Sequence, residues 1–107
     1  MSLPKRVKRF VVVYDICMVD NSYSEIRSSA KRRAQIMRIL YDYGVRTQLS
    51  VFEVELKGKE YFEVSKRLEE VIRKETDRVF IYPLDERSSK SIVRIGQEAE
   101  ILGDLFI

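Results

Sequence analysis

Asp15 ends the run Arg9–Ile16, RFVVVYDI, and is the best-placed residue in this chain to do chemistry. A carboxylate where a buried strand leaves its sheet is costly unless it is paired, hydrogen-bonded or turned toward a cation. Backbone rigidity on one side and solvent on the other suit a metal-binding or catalytic acid. The same position suits an acid that caps the following loop or pairs with an arginine, and the run leaves both readings open. The chain has no histidine. That removes the usual neutral-pH base and most zinc arrangements, so any hydrolysis must lean on carboxylates, a hard metal ion or arginine. Asp20 and Glu25 are candidate second carboxylates, although a solvated role is the simpler reading of each. Cys17 lies close to Asp15 but has no neighbouring base, and reads as a small packed residue.

The cations are the second chemical feature. Lys31, Arg32, Arg33 and Arg38 fall in the first part, and toward the outer surface, of a helix expected to run from a cap at Ser28 or Ser29 to Tyr43. Basic residues near a helix start oppose the macrodipole, so their presence favours phosphate binding over decoration. Lys5–Arg9, KRVKR, is either a phosphate-contacting arm or a soluble leader. Residues 1–50 carry ten Lys/Arg against four acids, and residues 51–107 carry ten against thirteen. A basic half and an acidic half suggest a polyanion partner on one surface.

The elements that must position these residues follow from periodicity. Phe10–Tyr14 is an unbroken β-branched and aromatic run, expected as a strand buried on both faces. The polar stretch 17–29 reads as a long loop with room for a helical turn, and a loop this long beside a candidate acid is more often functional than decorative. Ile36, Met37, Leu40 and Tyr43 should face the sheet, and Gly44 should stop the helix with a positive φ. In 46–56, Val51, Glu53 and Glu55 alternate with Phe52, Val54 and Leu56, which allows one long strand or two short ones broken near Gln48–Ser50. Lys57-Gly58-Lys59 reads as a turn, and 60–75 as an amphipathic helix on Tyr61, Val64, Leu68, Val71 and Ile72. A strand follows at 78–84, restricted by Pro83 to a strand end or sheet edge. Then come a polar linker at 85–90, a short strand at Ser91–Ile95 and an apolar tail at Ile101–Ile107.

Helices interleaved with strands give an α+β sandwich with the helices on one face of a small sheet. With 107 residues this is one domain. The apolar C-terminal pieces are left over once that sheet is filled, and exposed strands invite pairing with a second chain, so a dimer is expected. The N-terminus has no secretory h-region, no apolar run reaches membrane-spanning length, and one cysteine fits a reducing cytoplasm.

Four stretches, VVVYDI at 11–16, KRRAQIMRILYDYG at 31–44, RTQLSVFEVEL at 46–56 and RVFIYPL at 78–84, together resemble the small CRISPR-associated adaptation nucleases, the Cas family numbered two. Each is weak alone, and the ordered set is specific. The resemblance implies a ferredoxin-like βαββαβ fold with its core at about 9–84, which requires two strands in 46–56. It implies a homodimer in which a C-terminal segment within about 91–107 adds a strand to the partner's sheet. The family's metal-binding acid maps onto Asp15, so that Asp15 of two protomers would share one Mg2+ (or another divalent cation) for hydrolysis of a phosphodiester in RNA or DNA. Family arginines map onto Arg32, Arg33 and Arg46, with Lys31 beside them, as nucleic-acid contacts; Tyr14 and Phe52 fall where they could support the site, although the alternation of Phe52 equally permits a core role. The implied role is endonuclease in spacer acquisition. The alternative is a non-catalytic dimeric scaffold that binds protospacer DNA and bridges integrase subunits. Two departures from the family pattern stand out: a longer loop after Asp15, and Leu49 where tyrosine is common.

Overall fold

A computed structural model describes residues 7–97 of the chain. Lys5, Arg6 and the apolar tail 101–107 lie outside the described residues. The elements are β1 (Val7–Asp15), α1 (Tyr23–Tyr41), β2 (Gly44–Gln48), β3 (Val51–Lys57), α2 (Gly58–Val71), β4 (Arg78–Leu84) and a short α3 (Glu86–Lys90). The four strands form one antiparallel sheet in the order β2-β3-β1-β4. Two interleaved strand–helix–strand units therefore make up the ferredoxin-like βαββαβ arrangement.

Strand alternation assigns the two faces of the sheet. Phe10, Val12 and Tyr14 of β1 and Phe52, Val54 and Leu56 of β3 are buried, and they pack with Ile36, Ile39 and Leu40 of α1 and Val64 and Leu68 of α2 into one core. The opposite parity forms an open face. Register places Glu53, Val11 and Tyr82 in one row of it, Val51, Val13 and Phe80 in the next, and Asp15 opposite Arg78 at the end. The expectation that β1 is buried on both faces is corrected here: Val11 and Val13 are only half-buried, because both helices cover the same side. Pro83 lies in β4, an edge strand, where a missing amide is tolerated.

Several boundaries differ from the periodicity. Helix α1 begins at Tyr23, not near Ser28, because the Ser22 side chain accepts from the Glu25 amide and caps it there. The loop after Asp15 is therefore short, and the expected long loop 17–29 is mostly helix. Gly44 does not terminate α1 through a positive φ; it opens β2. Its need for glycine is steric, since a Cβ there would lie 1.9 Å from the Glu53 carbonyl oxygen and 2.7 Å from Val54 Cα. Gly44→Ala is thus expected to push β2 off β3 and cost about 1–3 kcal/mol, read as a lowered urea midpoint. No turn separates β3 from α2: Lys57 is the N-cap and the Glu60 side chain accepts from its amide. The expected linker at 85–90 is helix α3, with Asp85 accepting from the Ser88 amide.

Residues Ile92–Ile95 are not a strand in this chain. They fold back over the open face, where Arg94 makes a two-pronged pair to Glu53 at 2.8 and 2.6 Å. Arg9 of the basic leader is likewise internal, paired with Glu55 at 3.0 Å and donating to Ser89 at 2.9 Å. It is not a phosphate-contacting arm, because both its face and its charge are taken. Val93 and Ile95 remain almost fully exposed.

Candidate functional site

Asp15 is the last residue of β1, and its parity with Val11 and Val13 puts it on the open face. It is exposed, and among the described residues it makes no ion pair; its one hydrogen bond is from Cys17 Sγ at 3.6 Å. Arg78 stands opposite it in register, a cation that sequence reading did not single out, since only strand pairing brings the two together. Burial pushes the Cys17 thiol above its ordinary value, and the Asp15 charge raises it further. Cys17 therefore stays a neutral donor to the carboxylate.

A buried polar network holds the loop that carries Cys17. Asp77, just ahead of β4, accepts from the Cys17 amide at 3.1 Å, the Arg73 amide at 2.8 Å and Arg32 Nε at 2.8 Å. Arg32 and Arg73 each donate to the Cys17 carbonyl, at 3.2 and 3.3 Å. Burial raises the Asp77 carboxyl, and the Arg73 and Cys17 amides with the Arg32 guanidinium outweigh it, holding the group below its usual range. Arg32 is therefore not free for phosphate: it is buried in the pair with Asp77.

Glu25 is buried and engaged, not solvated. It pairs with Arg73 and accepts from the Val19 amide at 3.0 Å. The Arg73 hydrogen bond, and then that of Val19, hold its carboxyl at about 2. Its folded value lies below its ordinary 4.5, so its contribution to stability is complete above that pH and is lost as pH falls toward about 2. Glu25→Gln is expected to be less stable near neutrality and to show a shallower fall of unfolding free energy across that window, measured by urea denaturation at stepped pH. A parallel fall in both proteins would remove Glu25 from the acid transition.

The other predicted residues separate into distinct places. Tyr14, Arg33 and Arg46 gather at the Asp15 end of the sheet, but on the helix-covered side. The Tyr14 hydroxyl and Arg46 Nε both donate to the Leu49 carbonyl, at 3.3 and 3.1 Å. Burial raises the Tyr14 hydroxyl, opposed by the Arg46 and Arg33 charges. Arg33 keeps a long contact to Ser29 Oγ at 3.4 Å and is partly exposed. Phe52 is fully buried, edge-on to Tyr41 at 4.9 Å, so it is a core residue without access to a substrate. Lys31 lies on the outer surface of α1. At the far end of the sheet a cavity of about 390 Å³ is lined mainly by Phe10, Leu56, Tyr61, Phe62 and Pro83, away from the acid.

No three potential ligands among His, Cys, Asp and Glu come together among the described residues. One protomer thus offers an ion a single carboxylate. A hard cation such as Mg2+ is commonly held by only one or two carboxylates plus water and substrate phosphate, and the exposed Asp15 carboxylate is a donor of the kind such an ion takes. No helix of the described residues is long and apolar enough to cross a membrane.

Residues 8–92 match the family model described as CRISPR associated protein Cas2. A relative from Chloroflexus aurantiacus, named CRISPR-associated endoribonuclease Cas2 3, is 35% identical over 91 residues, covering 84% of this chain and 86% of its own. One from Thermodesulfovibrio yellowstonii, also named CRISPR-associated endoribonuclease Cas2 3, is 32% identical over 95 residues, covering 89% and 94%. The crystal structure of Streptococcus pyogenes Cas2 at pH 6.5 superposes with a TM-score of 0.70 at 26% identity, covering 82% of this chain and 99% of that one.

Proposed function

This chain belongs to the CRISPR-associated Cas2 family, and on that premise we propose that it is a magnesium-dependent endoribonuclease acting as a homodimer in spacer acquisition. The observation that carries the reading is Asp15: an exposed acid without an ion-pair partner, on the open face of the sheet, beside a cation. The curated relatives named as endoribonucleases favour RNA over DNA as the substrate.

The same face supports a dimer. Phe80 and Tyr82 are each 51% exposed there, flanked by the half-buried Val11 and Val13. Two copies packed through this apolar surface bury it and bring their Asp15 residues to one axis. Symmetry then supplies the second carboxylate that a single chain lacks. The segment after α3, held in this chain by Arg94, is the one that would cross to the partner's sheet.

Asp15 of each protomer would hold the Mg2+ ion, which would supply polarisation of a phosphodiester and a water of lowered pKa. The chain's own residues do the rest. Arg78 sets a positive charge beside the acid and can hold a phosphate oxygen. The Cys17 thiol orients one carboxylate oxygen by donating to it. Asp77 and Arg32 keep the Cys17 loop from moving over the acid. Arg33 and Arg46 lie on the other side of the sheet end, where they can guide the flanking strand of a longer substrate.

The test is cleavage of labelled RNA in magnesium and in EDTA. Cutting that stops in EDTA is the expected result. No cutting in either, with duplex DNA and an integrase subunit still bound, supports instead a scaffold that bridges integrase subunits.

A further inference from the structure

Helix α1 carries five cations, Arg27, Lys31, Arg32, Arg33 and Arg38, against one acid, Glu25, which is itself neutralised by Arg73. Helix α2, by contrast, mixes three cations with four acids. On α1 the residues Tyr23, Arg27, Ala30, Lys31, Ala34, Arg38 and Tyr41 recur at three- and four-residue steps and are all exposed. They form one stripe, opposite the Ile36 and Leu40 face that packs on the sheet. Among the described residues Arg27, Lys31 and Arg38 make no ion pair; Arg27 instead lies over the Tyr23 ring at 5.6 Å from its centroid. Tyr23 is 74% exposed, and Ile26, Val19 and Met18, near it in the chain, are exposed as well. Tyr41, at the end of the stripe, sets its ring edge-on to the buried Phe52; the cations add no such packing, and a row of unpaired cations on one helix is mildly unfavourable for the fold.

We infer that the outer face of α1 is a second nucleic-acid surface, which takes a single strand and stacks an unpaired base on Tyr23. The cations supply backbone attraction over a helix length of about 27 Å from Tyr23 to Tyr41. Ala30 and Ala34 keep the surface low between them, so a strand can lie close. The aromatic end decides the class of ligand: a duplex presents its phosphates but hides its base faces, whereas a single strand can place a base on an exposed ring backed by a guanidinium. This surface faces away from the sheet, while Asp15 lies on the sheet's opposite face, so the two are separate sites. Its role deepens the endoribonuclease reading and rests on it: the strand held on α1 is the single-stranded RNA from which a segment reaches the acid.

The experiment measures binding in EDTA, where cleavage plays no part, using a fluorescent twelve-nucleotide oligouridine and a duplex RNA of equal length. Tyr23→Ala is expected to weaken oligouridine binding about tenfold and leave the duplex unchanged. Combined Arg27→Ala, Lys31→Ala and Arg38→Ala should reduce the salt dependence of single-strand binding by a slope of about 2. Because the chain has no tryptophan, Tyr23→Trp gives a single indole, whose emission should be quenched by oligouridine and not by duplex. Unchanged oligouridine affinity in Tyr23→Ala, or an equal loss for both ligands, overturns the proposal. Oligouridine binding that behaves as expected in a protein that cuts no RNA in magnesium would leave this surface standing and remove the nuclease reading instead.

Discussion

Asp15→Ala should abolish magnesium-dependent RNA cleavage, by at least about 10²-fold in rate, while leaving the protein folded. The carboxylate is exposed and its side-chain hydrogen bond is a long one from the Cys17 thiol, so its loss should change stability by no more than about 0.5 kcal/mol. A stability loss well beyond that would make Asp15 a loop cap. The same chemistry predicts a second route to the same loss. Phe80→Asp leaves Asp15 in place but sets a charge in the apolar open face, where Phe80 is 51% exposed in the single chain. It should therefore fold, run as a monomer in sedimentation, and fail to cut. Cleavage by a monomeric Phe80→Asp protein would mean that one carboxylate suffices. Cleavage by Asp15→Ala would place the chemistry elsewhere.

Arg32→Ala and Asp77→Ala should each cost about 3–5 kcal/mol, since each strips one partner from a buried ion pair. The Asp77 side chain is fully buried and that of Arg32 is 8% exposed. Against a total stability of roughly 5–15 kcal/mol for a domain, either change is severe. Asp77 also holds the amides of Cys17 and Arg73, so its removal leaves more donors unsatisfied and should be the worse of the two. The double variant should cost well under the sum of the single ones, a coupling of about 1–3 kcal/mol in a urea-denaturation cycle. The depressed Asp77 carboxyl gives the pH signature: its stabilisation is present above the ordinary carboxylate range and is lost as pH falls below it. A near-neutral Arg32→Ala with weakened, less salt-dependent RNA binding would return Arg32 to the phosphate-binding role that its position in the sequence suggested.

That exchange of roles for Arg32 shows where sequence reading stops. In the chain, Lys31, Arg32 and Arg33 are adjacent and equivalent in charge. On the helix, successive residues differ by about 100°, so one turns inward while its neighbours stay at the surface. Which one is paired depends on an aspartate 45 residues away, and no local pattern records it. Glu25 and Arg73 are separated by 48 residues in the same way, and nothing in the sequence around Asp77 marks it as their neighbour. Gly44 carried a correct signal, that only glycine fits, with the wrong cause: a helix end and a close strand contact demand the same residue.

The sequence alone determined the strands that alternate, the core-facing residues of α2, the helical run through Ile36 and Leu40, and Asp15 at the end of β1. Those are properties of a few neighbouring residues, written in the spacing of apolar side chains, and the ordered motifs placed them in one family. The tertiary structure alone decided that the sheet has one open face, that Asp15 lies on it opposite Arg78, that Phe52 is sealed in the core, and that Cys17, Arg32, Arg73 and Asp77 form one network. Each of these depends on strand order and on pairings between distant residues. Backbone register and the cost of burying charge unpaired select them, and both act only once the chain has closed on itself.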